Sequence, residues 1–267
     1  MSTSTILTAQ SGAVRIITLN RPQALNSFTG EMHEALMAAL DAAAADREVR
    51  ALILTGTGRG FCAGQDLADP LVAPDPAPGA APKDLGIVLE KYYGPLVRRV
   101  TSMPVPVVAA VNGVAAGAGA NLAFCCDIVL AARSASFIQA FSKIGLVPDC
   151  GGSWLLPRLA GRARALGMAL LGDKLPADEA ERIGMIWKCV DDAGLMEQAG
   201  VLAARLAAMP VKALAQTRQA FDAAQRMTLG EALAQETRMQ RELANAHDYN
   251  EGVGAFLARR APVFSDR

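Results

Sequence analysis

Residues 100–126 carry no charged side chain. A run of that length must be hidden from water, either in lipid or in a protein core. Pro104, Pro106, Asn112, Gly113, Gly117 and Gly119 interrupt it too often for a membrane span. The better parse is a buried strand over 105–111, a turn at Asn112-Gly113, and a small-residue loop feeding a helix. Gly117-Ala118-Gly119-Ala120 has almost no side chain, so a ligand can approach its backbone, and the N–H groups opening the helix have no partner inside it. Such a site suits negative charge developing on oxygen. Tight packing of strand on helix is the other reading, and the residues alone leave both open.

The composition narrows the class. Lys+Arg and Asp+Glu balance at 26 each, so no net charge steers the chain to nucleic acid or a membrane surface. A 52% apolar fraction with 5% aromatics describes a large aliphatic core. The five cysteines are odd in number, sit in apolar contexts and form no C-x-x-C pair, which fits reduced thiols in a cytoplasmic protein. The N-terminal stretch has neither a basic segment nor a long apolar one, so no secretion signal is expected. Both histidines fall in helical patterns read as solvent-facing, and no metal site is expected.

Along the chain, residues 14–19 and 49–55 read as strands, and 29–45 as an amphipathic helix capped by Thr29. A second glycine-rich turn, Gly56 to Leu67, follows the 49–55 strand but lacks the ending of a phosphate-binding loop. Residues 69–83 hold five prolines and read as an irregular loop, either a lid or a surface excursion. Further short strands are expected at 128–132 and 136–138, with a last one within 185–190. The chain divides into an α/β core over 1–190 carrying the site and a helical region over 191–267 that covers the core or mediates assembly. A third loop, Gly145 to Gly152, presents Asp149 in an apolar setting. There a carboxyl group has a raised pKa and suits proton transfer. A cap for the following helix is the competing role.

Leu19-Asn20-Arg21-Pro22, Ala24-Leu25-Asn26, Gly60 to Leu67, Val111 to Gly119 and Pro148 to Gly152 occur in one order and spacing. With these motifs the chain resembles the enoyl-CoA hydratase/isomerase (crotonase) superfamily from Val14 to Arg267. The stretches GRGFCAGQDL, NGVAAGAGA, FSKIGLVPDCGGSWLLPR and GMIWKCVDD are most similar to its branch that isomerises ring-epoxidised phenylacetyl-CoA in phenylacetate breakdown. The resemblance implies an α/β fold of repeated ββα units in a spiral (the crotonase, ClpP-like fold), followed by a helical trimerisation region. It implies an acyl-CoA substrate whose thioester oxygen lies between the backbone N–H groups of Gln65 and Ala118, with Asp149 as acid/base. It also implies CoA contacts at Ala24, Ala63, Asp66 and Leu67. Phe256, Phe264 and Arg267 would reach a neighbouring subunit's CoA, unless the basic tail is merely a solvated face. Trp154 and Asn121 are candidate substrate contacts.

The two glutamates with which hydratases of the superfamily add water are replaced here by Asn121 and Phe141. Phe141 also makes the pocket drier. The implied activity is therefore isomerisation: a phenylacetyl-CoA ring epoxide to its oxepin thioester, or a 3-enoyl-CoA to a 2-enoyl-CoA. No cofactor is implied beyond the CoA of the substrate. Trimers or dimers of trimers are implied, with contacts to other enzymes of the pathway plausible on chemical grounds. A general Δ3,Δ2-enoyl-CoA isomerase, a hydratase and a non-catalytic thioester-binding scaffold are the alternatives.

Overall fold

The computed structural model describes residues 4–267, so Met1–Thr3 of the expected core and of the N-terminal stretch lie outside the described residues. The chain opens with β1 (Ile6–Ser11), β2 (Val14–Leu19) and α1 (Gly30–Ala45). Thr29 caps α1, its side chain accepting from the Met32 N–H. Then come β3 (Ala51–Gly56), β4 (Gly60–Cys62), α2 (Leu85–Val88), a π turn over Leu89–Tyr93 and α3 (Gly94–Thr101). The neutral stretch forms β5 (Val107–Val111), β6 (Val114–Ala116) and α4 (Ala118–Phe124). Next are β7 (Ile128–Ala132), β8 (Ser136–Ile138) and α5 (Gly152–Leu171), then β9 (Lys174–Pro176), α6 (Ala177–Arg182) and β10 (Lys188–Val190). Four helices finish the chain: α7 (Leu195–Ala207), α8 (Val211–Ala224), α9 (Leu229–Ala244) and α10 (His247–Leu257).

Three strand pairs, β3–β4, β5–β6 and β7–β8, each give one strand to each of two sheets. Each pair then leads into helical structure, which makes the repeated ββα unit. The larger sheet runs β1-β2-β3-β5-β7-β10 and is parallel except for the β1–β2 hairpin. Its central strands, ALILT and VVAAV, are buried on both faces, as parallel strands covered on both sides must be. The smaller sheet runs β4-β6-β8-β9, with β4, β6 and β8 parallel and β9 antiparallel. Because β4, β6 and β8 are parallel neighbours, the loops leaving their C-terminal ends emerge along one edge. Those are the three loops singled out in the sequence.

The first α-helix beyond residue 190 covers the larger sheet. Helix α7 packs on β2, β3, β5 and β7 through Ala199 and Ala203, which are fully buried. Arg50 fastens its end, donating to the carbonyls of Ala207 at 2.7 Å and Met209 at 3.0 Å. Helix α5 is two helical segments joined at Gly161, whose left-handed, non-helical backbone (φ 73°) kinks the chain between them. The short strands β1, β4, β6 and β9 were not expected, since runs of three residues or a mostly exposed edge leave little periodicity to read.

His33 corrects the sequence reading. It is 3% exposed, stacked on Phe28 (ring centroids 4.4 Å apart) and on Tyr92 (5.1 Å). It lies between Met32 and Leu36 on the buried face of α1, which with Leu40 and Ala43 is broad enough to take it in. His247 is exposed, as read, and its Nδ1 lies 3.1 Å from Asp248 Oδ1.

Candidate active site

The first loop leaves β4 at Ala63. Phe28 N–H donates to Gly64 O (2.7 Å) and Asp66 N–H to Phe28 O (2.9 Å), so Gln65 is clamped on both sides along the chain. Gly64 has φ +89°, and a Cβ there would stand 2.8 Å from Ala116 O and 3.4 Å from Ala118 N. Only glycine lets the two loops approach so closely. The second loop leaves β6 at Ala116 and turns at Gly117 (φ 52°, ψ −125°) into α4. Among the described residues, neither Gln65 N–H nor Ala118 N–H donates to a protein acceptor. Both therefore remain available to an acceptor outside the chain.

The third loop follows β8. Phe141 lies over Gly117, its ring 3.5 Å from where a Cβ would be. Asp149 begins a turn whose central residues, Cys150 (φ 48°) and Gly151 (φ 78°), are both left-handed, closed by Gly152 N–H donating to Asp149 O at 2.7 Å. A left-handed cysteine is strained, and such strain collects at functional sites. The Asp149 carbonyl also accepts from Asn121 Nδ2 at 2.8 Å, and Asn121 Oδ1 accepts from Gln139 Nε2 at 2.8 Å. Asn121 is wholly buried and its amide is committed to holding this loop.

The capping role for Asp149 does not occur. The residue that caps α5 is Gly151, and no side chain bonds to that helix start. Asp149 Oδ1 is instead buried without a hydrogen-bond partner. Burial pushes its pKa up to about 6, partly opposed by its own backbone N–H. A carboxyl group that titrates near neutrality and keeps a free buried oxygen is chemically suited to take and return a proton.

Around this centre the motif residues form a rim. Asn26, fully buried, accepts from Arg21 N–H and donates to Thr57 O and Gly60 O. That explains its left-handed backbone and Leu25's. Ala63 N–H donates to Leu25 O at 2.9 Å, which ties the first loop to the residue after Ala24. Asp66 pairs with Arg21 at 3.0 Å. Burial alone would raise its pKa, but the Ala68 N–H and Arg21 outweigh it and lower it. Leu67 is exposed. Asn112 serves as a turn former, bonding Gly56 N–H, Gly58 O and Gly60 O.

Other expected contacts lie elsewhere in the chain. Trp154, on the first turn of α5, carries Arg158 4.2 Å and Arg226 6.0 Å above its ring. Phe256 is 82% exposed on α10, and Phe264 packs against Gly252. Arg267 bonds the carbonyls of Ala43, Ala44 and Asp46 at the end of α1. Among the described residues His247, Asp248 and Asp266 group together, but Asp248 is occupied by the N–H groups of Ser265 and Asp266. The thiols near the centre are poor nucleophiles: burial pushes Cys62 and Cys125 up to about 12, and Cys150 well above the usual range.

Sequence reasoning missed Tyr93. It is buried, and its hydroxyl donates to Gln65 Oε1 at 2.9 Å. The inward turn that brings it there is the π turn, with Gly94 N–H bonded to Leu89 O. Pro95, which has no N–H to give to Lys91, is the local signal for it.

Comparison with known proteins agrees with this arrangement. Residues 9–267 match the family described as enoyl-CoA hydratase/isomerase. The chain is 53% identical to the 1,2-epoxyphenylacetyl-CoA isomerase of Escherichia coli K12, over 98% of each chain. It is 47% identical to a probable enoyl-CoA hydratase of Rhodobacter capsulatus over the full length of both. The crystal structure of an enoyl-CoA hydratase subunit from Geobacillus kaustophilus superposes with a TM-score of 0.89 at 34% identity, covering 98% of each chain. Three loops at the ends of three parallel strands, the motif order and these likenesses agree: the chain is an enzyme of the enoyl-CoA hydratase/isomerase family.

Proposed function

We propose that this protein is an isomerase of acyl-CoA thioesters with a single acid/base, Asp149, and that the ring 1,2-epoxide of phenylacetyl-CoA is its substrate. The observation that carries the reading is the unpartnered, buried Oδ1 of Asp149 beside an Asn and a Phe where hydratases of the family have glutamates. The thioester oxygen accepts from Gln65 N–H and Ala118 N–H. Removing a proton from the carbon next to the carbonyl moves its electron pair into an enolate, with the charge on that oxygen. Asp149 takes the proton and returns it two carbons further along, so a 3-enoyl thioester becomes the conjugated 2-enoyl thioester with no atom gained or lost. Phe141 keeps water from competing. The epoxide as substrate is carried by the relative that is 53% identical, whose name states that activity. The residues supply the enolate and proton chemistry, and the oxepin thioester is the proposed product. A homotrimer or a dimer of trimers belongs to the same reading, supported by the exposed apolar side chains Phe221, Leu229, Phe256 and Leu257 on the C-terminal helices.

The 47% identical relative bears a hydratase name and favours water addition as the second reading. The two are separated by offering the protein the ring epoxide, a 3-enoyl-CoA and a 2-enoyl-CoA, and following products by chromatographic separation with mass detection. Isomerisation gives products of unchanged mass from the first two and leaves the third untouched. Rapid gain of one water by the 2-enoyl-CoA, with neither of the others consumed, would overturn the isomerase reading.

A further inference from the structure

We infer that Tyr93 is a positioning residue for the oxyanion donor at Gln65, acting through its hydroxyl bond to the Gln65 side chain. The inference rests on the reading of Gln65 N–H as one of the two groups that hold the thioester oxygen. The Gln65 side chain is tied at both ends: Nε2 donates to Phe28 O at 3.0 Å, and Oε1 accepts from Tyr93 at 2.9 Å. Phe28 O is the same atom that receives Asp66 N–H, so the side chain and the backbone of this turn share one anchor. The Tyr93 bond ties this turn to the segment that leads into α3, in addition to its ties to Leu25, Phe28 and Arg21.

The surroundings make that tie rigid. Tyr93 is 3% exposed, meets Phe28 edge-on (ring centroids 6.0 Å, 81°) and meets His33 edge-on (4.5 Å, 87°). Phe28 itself donates its N–H to Gly64 O. One aromatic cluster therefore grips the donor turn from the backbone side and the side-chain side together. The π turn over Leu89–Tyr93 is what rotates the phenol inward, and such turns recur at functional sites. Because the donor must meet an oxygen that gains charge only as the reaction proceeds, a small drift of the Gln65 N–H weakens the transition state more than substrate binding.

The test is Tyr93→Phe, which removes the hydroxyl and keeps the ring, alongside Gln65→Met and the double variant. Turnover of a 3-enoyl-CoA and the ultraviolet band of bound cinnamoyl-CoA are measured for each. That band moves to longer wavelength when its thioester carbonyl is polarised. Tyr93→Phe is expected to lower kcat about tenfold, a fraction of the hundredfold that ångström-scale misplacement costs, with KM changed less than about twofold. The band shift should shrink in parallel, and Tyr93→Phe should add nothing in the Gln65→Met background. If Tyr93→Phe does not fold, Gln65→Met breaks the same bond from the other side and must show the same two losses. An unchanged kcat and band shift, or an equal loss in both backgrounds, would overturn the role of Tyr93 while leaving the oxyanion reading standing. A wild-type protein that binds cinnamoyl-CoA with no shift at all would overturn both.

Discussion

The side-chain amide of Asn121 donates to the backbone carbonyl of Asp149 at 2.8 Å, from a helix whose first residue supplies one of the proposed oxyanion donors. The short helix α4 thus links the Ala118 N–H, a proposed oxyanion donor, to the loop of Asp149, the proposed acid/base. Asn121, wholly buried, is scaffold: its amide holds the Asp149 carbonyl and accepts from Gln139.

Asn121→Ala should therefore damage stability and catalysis together. It leaves the Gln139 amide without its acceptor and Asp149 O with one donor fewer, in a fully buried place. Urea denaturation is expected to show a loss of about 2 kcal/mol. Steady-state kinetics on a 3-enoyl-CoA should show kcat falling more than KM rises, because the acid is displaced rather than the thioester.

Gly64→Ala addresses the spacing of the two donors. The new methyl group would sit 2.8 Å from Ala116 O at a backbone φ of +89°, so the loops must separate. We expect a loss of about hundredfold or more in kcat, comparable to removing one oxyanion donor. Gly12→Ala, also left-handed (φ +56°) but with nothing near its Cβ, should leave kcat unchanged and is the control for strain alone.

Much of this was legible before any coordinates. The central strands, the Thr29 cap with its helix, and the three loops follow from periodicity and glycine placement. What brings those loops to one edge is the parallel pairing of β4, β6 and β8, and of these only β8 was legible, since β4 and β6 are three residues each beside glycine turns. Asp149 in its loop was consistent with a helix cap until the structure showed Gly151 in that place. His33 was misread because a histidine beside an apolar stripe has two plausible sides, and only the packing of Phe28 and Tyr92 chooses between them.

The buried His33 should leave a mark on acid stability. Desolvation lowers its pKa from 6.5 to about 4, so the folded state binds fewer protons than the unfolded state between those values. Its contribution is present above pH 6.5 and is lost as pH falls toward 4. His33→Phe should flatten the decline of unfolding free energy over that window, by on the order of 3 kcal/mol at most. Denaturation midpoints taken at pH 7, 5.5 and 4.5 would check it.

Asp149 has the opposite linkage. Its folded pKa of about 6 lies above the ordinary value of 3.8, so ionising it in the folded state opposes folding as pH rises through that interval. Asp149→Asn should raise Tm at pH 8 and give no gain at pH 3.5. The rate of isomerisation by the wild type, which needs the carboxylate, should rise with pH to a plateau above about 6.

Turnover of a 3-enoyl-CoA by the wild type and by Asp149→Asn, with binding of the thioester measured on both, bears most directly on the single-acid account. The substitution keeps the shape of the side chain and removes its titrating group. The expected result is formation of the conjugated 2-enoyl-CoA by the wild type, loss of at least about a hundredfold in the variant, and thioester affinity within about threefold. Equal turnover by the two proteins would contradict the account and require another base.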